Sequence, residues 1–301
     1  VEELKLNVNT RSMLSPNTAK CPVINWKNRY RPLLNGNELL LENNEMCRSL
    51  ACSPDGTSFV IGTDWNIYCF NNNGTFRWKS PAPGIVWNVN ISGDGRIVVA
   101  THNDGTIRWY RLYDGWELFA LFPHADKKQW VLWTPDGYYA SSEGSDTLIG
   151  WHVNQGLDKE ALFLPAFAFS DIFNKPEMIG TMSKLLLTDR EMRTKMKMAY
   201  PDIRTMLLSF QALTEVQPDK TAKDADIVAQ IYTINSASGE VVVAVKDARR
   251  SLSVGESVYV SVDGKEIQMK VFYPMLSVAK CKIIKRNEIG LIQKGMAVYR
   301  K

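Results

Sequence analysis

The sequence predicts a mainly β protein: a partial β-propeller of about three to four blades, then a helical connector, then a small closed β-barrel. Three observations predict this. A motif recurs three times in the first half of the 301-residue chain, a helix-prone run with regularly placed methionines follows it, and the last quarter alternates in short strands separated by turn residues. The three copies are RSLACSPDGTSFVIGTDWNIYCFNNNG from Arg48, WNVNISGDGRIVVATHNDGTIRWYRLYDG from Trp87, and WVLWTPDGYYASSEGSDTLIGWHVNQG from Trp130. Each reads as an apolar alternating segment, a turn ending in Asp-Gly, a second apolar segment, a small-polar-acid turn and a third strand rich in aromatics. The turn aspartates Asp55, Asp94 and Asp136 stand 39 and 42 residues apart, the length of one four-stranded propeller blade.

The residue types suit a structural use. In Asp55-Gly56, Asp94-Gly95 and Asp136-Gly137 the carboxylate can accept from nearby backbone and the glycine tolerates positive φ, which together make a tight turn. Asp64, Asp104 and Asp146 align at the second turn. Trp65, Trp109 and Trp151 recur near the third strand, where a repeated aromatic reads as a packing wedge between blades. In the third copy Glu143, Asp146 and His152 would suit a hydrolytic set on paper. Two of the copy's acids belong to the repeat, however, and only Glu143 and His152 lack counterparts. The expectation is therefore no catalytic residue, no cofactor and no metal site. The cysteines Cys21, Cys47, Cys52, Cys69 and Cys281 are odd in number and without C-x-x-C spacing, so they read as small buried hydrophobes in a reducing, cytoplasmic setting, with the periplasm or envelope as the alternative.

Composition excludes some classes. With 45% hydrophobic and 23% charged residues the chain is an ordinary globular sequence, and its apolar runs fall short of a membrane-spanning helix. The net charge of +4 is weak; residues 151–301 carry 22 basic against 17 acidic side chains, with no long block of one sign, which does not point to nucleic acid.

The repeats resemble WD40 blades in their spacing and in the S-P-D-G, D-G-T-I-R-W and terminal D-G elements. Trp109-Tyr110 and Trp151-His152 stand where Trp-Asp is usual. PAPGIVWNVNISGDG (81–95), DGTIRWYRLYDG (104–115), LFPHADKKQWVLWTPDGYY (121–139) and LIGWHVNQG (148–156) are similar to the terminal blades of large bacterial WD40 proteins, some of which carry a caspase-like peptidase domain elsewhere. The resemblance implies a non-catalytic protein–protein interaction scaffold or sensing module within a larger bacterial chain or assembly. The alternative it implies is the regulatory portion of a caspase-like system whose catalytic domain lies outside this chain, since neither the His-Gly nor the Q-A-C-x-G-like signature is present and Cys281 sits in the strand-like VAKCKII. Three copies do not close a ring, so the missing blades are expected from upstream sequence or from another chain, and the partner is a protein.

The boundaries read as follows. Residues 1–45 form an N-terminal extension and a possible partial blade, and 46–174 the propeller blades. The run LFLPAFAFSDIFNKPEM (162–178) reads as an aromatic strap over the blades. Residues 175–215 are a helical connector, with Pro176 opening one helix over 177–199 that carries Met178, Met182, Met192 and Met196, and a second helix in IRTMLLSFQAL. Residues 216–226 are a linker, and 227–301 an SH3-like or OB-like barrel. LSVGESVYV (252–260) in that barrel resembles the small C-terminal barrel of bacterial envelope and flagellar assembly proteins.

Overall fold

The structure, a computed structural model, describes residues 16–18, 21–154, 157, 161–199, 226–246, 251–275 and 278–301. The chain is mainly β and divides into two compact units. The first takes Val1–Ser145 with Lys175–Met198, the second Asp146–Asn174 with Ala199–Lys301.

In the first unit the first copy of the repeat is a four-stranded antiparallel sheet of β4 (Cys47–Cys52), β5 (Ser58–Thr63), β6 (Asn66–Asn71) and β7 (Phe76–Pro81), preceded by three two-residue strands, β1 (Val23–Ile24), β2 (Leu33–Leu34) and β3 (Asn37–Glu38). The second copy supplies β8 (Val86–Ile91), β9 (Ile97–His102), β10 (Ile107–Arg111) and β11 (Glu117–Pro123). The third copy departs from the expected separate blade. Its β12 (Trp130–Trp133) and β13 (Tyr139–Ser141) hydrogen-bond onto the edge of β11, giving a six-stranded sheet in the order β13-β12-β11-β10-β9-β8. The register Ala120↔Trp133 to Pro123↔Trp130 lets β12 satisfy the backbone of an edge that a separate blade would leave open.

Alternation along each strand sorts side chains to two faces. One face of the first sheet sends Ala51, Val60, Ile67, Cys69 and Trp78 against Val86, Val89, Val98, Ala100 and Tyr110 of the second. Trp78 is the wedge: its indole Nε1 donates to the Leu112 carbonyl at 2.8 Å, so the ring buries with its polar atom satisfied. Gly115, at φ +75°, leaves room for it, since a Cβ there would fall 2.5 Å from the indole. The opposite face packs Leu50, Cys52, Phe59, Ile61, Tyr68 and Phe70 against Val23 and Leu34 of the short strands and Leu39 just after them. On that side the buried Glu45 carboxylate receives Thr63 Oγ1 (2.6 Å), Asn66 Nδ2 (2.7 Å) and the Tyr68 hydroxyl, which compensates its desolvation.

The expectation of five free thiols is corrected here. Cys21 and Cys52 form a disulfide across 31 residues, closing the N-terminal segment onto β4, a pairing that no sequence spacing announces. Cys47, Cys69 and Cys281 are buried, and burial pushes each thiol up to about 12.

The expected single helix over 177–199 is two. After α1 (Ser170–Phe173, in the second unit) come α2 (Pro176–Leu185) and α3 (Asp189–Met196) in the first. Leu186 ends α2 in the left-handed conformation, and Thr188 opens α3 with a capping box to Glu191. Met178, Met182 and Met192 are buried. The helix expected in IRTMLLSFQAL, and all of the 216–226 linker except Asp226, lie outside the described residues.

In the second unit a closed barrel runs β16-β17-β20-β19-β18-β21, built from β16 (Asp226–Asn235), β17 (Glu240–Val245), β18 (Ser257–Val262), β19 (Lys265–Pro274), β20 (Val278–Ile283) and β21 (Ala297–Arg300). Valine, isoleucine and Met269 fill it. The remaining strands of the third copy, β14 (Gly150–Val153) and β15 (Leu162–Pro165), pair with each other in this unit. The aromatic run expected to strap over the blades sets Phe167 edge-on to Tyr273 and Phe169 edge-on to Tyr232 of the barrel, because those tyrosines present flat apolar faces beside it.

Two outcomes check these arrangements. Trp78→Ala lowers the unfolding free energy in urea by about 3–5 kcal/mol, since it removes the wedge and opens a cavity; an unchanged midpoint would show that the sheets do not depend on it. The denatured, unreduced chain titrates three thiols, and five after reduction.

Candidate functional site

The turn aspartates show how one backbone motif is put to two uses. In all three turns the glycine has positive φ (Gly56 +71°, Gly95 +68°, Gly137 +91°) and donates its N–H to the carbonyl three residues back. Asp55 accepts from Ser53 Oγ (2.5 Å), Thr57 N (3.0 Å) and Thr57 Oγ1 (2.9 Å). Asp94 accepts from Ser92 Oγ (2.6 Å) and Arg96 Nε (2.7 Å). These bonds hold both carboxyls below the usual range, Asp94 at about 2, with the serine hydroxyl the first cause in each. In the third turn Thr134 replaces the serine, and Asp136 turns outward to pair with Arg193 of α3 while its N–H donates to the Asp189 carboxylate at 3.1 Å.

Asp189 is buried, and desolvation pushes its carboxyl up to about 6. A second tie lies one strand away. Arg111, at the end of β10, pairs with Asp114 in its own turn, reaches the Leu186 carbonyl at 3.3 Å and bonds Glu191 at 2.8 Å. The α2–α3 hairpin is therefore fastened to the turn end of the second sheet by charged groups.

Beneath the hairpin lies the outer face of that sheet, the face turned away from the first sheet. A cavity of about 330 Å3 opens between them, lined by Trp109, Leu121, Trp130, Leu132, Ser183 and Leu186 among others. Trp109, expected as a blade-packing aromatic, is half-buried in this lining, opposite Phe119. Trp151 is half-buried against Phe173 (4.5 Å between ring centres) and Phe169 (5.8 Å). Trp65 corrects its expected role as a packing wedge: it stands 60% exposed in the turn before β6, because the strand starts one residue later and its inward places fall to Ile67 and Cys69. The wedge of the first sheet is Trp78, which the repeat alignment passed over because no tryptophan occupies its place in the later copies.

The acids aligned at the second turn diverge as well. Asp64 pairs with Arg48 at 2.6 Å, Asp104 accepts from Thr106 N and Oγ1 at 2.9 and 2.6 Å, and the buried Asp146 pairs with the buried Lys280 of the barrel at 2.7 Å. Of the paper hydrolytic set, Asp146 is thus engaged by an ammonium, His152 is exposed on β14 opposite Phe163, and Glu143 is exposed. His102 is buried beside Tyr110, and burial holds its imidazole down at about 4, hence neutral. Among the described residues no cluster of His, Cys, Asp and Glu could hold a metal ion, and no helix is long and apolar enough to cross a membrane.

A protein whose Asp189 is buried and charged at neutral pH gains from losing that charge. Its folded pKa lies above the unfolded carboxyl value, so the folded state binds the proton first and stability rises as pH falls from about 6 towards 4. Asp189→Asn keeps an acceptor for the Asp136 N–H without the charge. It is expected to be more stable than the parent by about 1–2 kcal/mol at pH 7, with the difference vanishing near pH 4, as read by urea unfolding at each pH.

No protein-family model matches the chain, and no match is found among curated proteins. Solved structures do match in part. BamB from Moraxella catarrhalis is 18% identical over 35% of this chain and 36% of that one, with a TM-score of 0.26. The C-terminal WD40 domain of Sif2 is 17% identical over 35% and 34%, TM-score 0.27. The WD40 repeats of RRP9 are 16% identical over 36% and 38%, TM-score 0.25. The chain spans little more than a third of each, and the fold described above stands on strand order and packing.

Proposed function

We propose that this chain is a non-catalytic protein–protein interaction scaffold, with no cofactor, whose recognition surface is one rim of its stacked sheets. One observation carries the reading. The successive hairpins of the first unit bring Trp65, Trp87 and Trp130 to the same end of the strands, at 60%, 56% and 39% exposure. Trp65 lies in the β5–β6 turn, Trp87 in a bulge at the start of β8 where the register shifts between Val86 and Asn88, and Trp130 at the first residue of β12. Exposed tryptophans on a rigid scaffold are the side chains that most often anchor a protein partner, since each brings a large apolar area at little cost in rotamer freedom. The acids and cations of the repeats support the same reading: they are engaged in turns and ion pairs of the fold itself. The role within a larger bacterial assembly follows from the resemblance of the repeats and is part of the proposal.

Trp65→Ala with Trp87→Ala tests it. Both side chains are exposed, so the variant keeps the parent's thermal midpoint. Affinity capture from cell extract with the immobilised parent recovers a protein that the double variant loses, and a recovered set that is the same for both removes the rim as the recognition surface.

A further inference from the structure

The outer surface of the barrel carries a lysine that another part of the second unit neutralises, and beside it two lysines that nothing neutralises. Along β20 the barrel core takes Ala279, Cys281 and Ile283, so Lys280 and Lys282 project outward. Lys280 stands opposite Tyr273 of β19, and Lys282 opposite Lys270. The chain after Ser145 crosses the first of these two rungs. Asp146 meets the Lys280 ammonium at 2.7 Å, the ring centre of Phe167 lies 4.9 Å from that ammonium, and the Tyr273 hydroxyl donates to the Thr147 carbonyl at 3.3 Å. What this face holds at its first rung is therefore a passing segment with a carboxylate and an aromatic ring.

The second rung repeats the cationic half of that arrangement without the segment. Lys270 and Lys282 are cross-strand neighbours, and both are exposed. Like charges directly opposite each other on two strands repel. Among the described residues no carboxylate stands within ion-pair distance of either ammonium, because the acids of the barrel are engaged elsewhere. Glu240, opposite Lys282 on β17, leans to Lys280 at 4.0 Å, while Glu256, Glu266 and Glu288 pair with Arg300, Lys301 and Lys265. Apolar side chains flank the rung. Ile284, 52% exposed, donates its N–H to the Gln268 carbonyl one step along, and Phe272, 39% exposed, stands at the bulge between Val271 and Tyr273.

We propose that the Lys270–Lys282 rung is a docking face for an acidic, aromatic-containing segment of a partner protein. One carboxylate of that segment bridges the two ammonium groups and relieves their repulsion, and an apolar neighbour rests on Phe272 or Ile284. Charge complementarity sets the acidic character of the occupant. The segment from Asp146 to Phe167 sets the rest, since on the adjacent rung it is a stretch of polypeptide that supplies the carboxylate, the ring and a backbone acceptor. The face lies on the barrel and does not use the Trp65 and Trp87 rim, so either reading can fail alone.

The test is fluorescence anisotropy of a fluorescein-labelled peptide of four Glu-Phe repeats, titrated with the full chain at low ionic strength. Saturable binding is expected, weakening as salt is added. Lys270→Gln with Lys282→Gln is expected to weaken it at least about tenfold, without lowering the thermal midpoint, because the variant removes a repulsive pair from an exposed surface. Lys301→Gln removes a barrel lysine already paired with Glu266, and is expected to leave the affinity within about twofold. No saturable binding overturns the proposal. So does an equal loss in Lys301→Gln, which would reduce the effect to net charge, and so does equal affinity for a Gln-Phe peptide, which would reduce it to apolar contact. A ten-nucleotide oligothymidylate that binds more tightly than the peptide, and loses its affinity in the same double variant, assigns the face to nucleic acid instead. A parent that sediments as a dimer at low salt and as a monomer in the double variant assigns it to a second copy. Either result overturns the proposal, and so does a double variant with a lowered midpoint, whose lysines would then serve the barrel itself.

Discussion

The contact on which the first unit depends is the indole of Trp78 inserted between two sheets. Sheet-on-sheet packing is apolar and non-directional, and on its own would let two pleated faces slide. The hydrogen bond from Nε1 to the Leu112 carbonyl fixes the slide, and Gly115 gives the ring its place. With that contact set, β4 faces β8, the turns carrying Asp55 and Asp94 lie at one end with Trp116, and the exposed Trp65, Trp87 and Trp130 lie at the other. The rim is then a consequence of how the sheets stack.

The second sheet shows what happens when a repeat is used without repetition. Its inner face follows the pattern and is sealed. Its outer face has the same register but a different cover: two helices held by Arg111, Arg193 and Asp189 at a turn whose counterparts in the earlier copies bind only themselves. The substitution of threonine for serine at position 134 goes with this change, because Asp136 accepts from an arginine of α3 where Asp55 and Asp94 accept from the serine of their own turn. A buried carboxyl at Asp189 then makes the attachment of the helices costly while it is charged.

Much of the first unit was legible in the sequence because its signals are local. Asp-Gly turns need positive φ at one residue, and alternation with period two marks the strands. The same holds for the barrel, whose Gly-preceded strands closed as expected. What was misread depended on faces and partners. Trp65 and Trp109 are grouped in the alignment, yet Trp65 follows Asp64 directly and stands exposed in the turn, while Trp109 lies within β10 at the place that Cys69 holds in β6, and lines a cavity. The run after Gly156 was recognised as an aromatic strap, but its contact proved to be the barrel tyrosines Tyr232 and Tyr273.

The sequence by itself determined the strands, the tight turns, the helix start at Pro176 and the closed barrel, because each rests on the preferences of a few neighbouring residues. Only the tertiary structure decided that β12 joins β11, that Cys21 finds Cys52, that Asp146 meets Lys280, and that α3 grips the third turn. Those are choices among distant partners, and they are settled by which surfaces come together when the apolar faces bury. No interval along the chain encodes them.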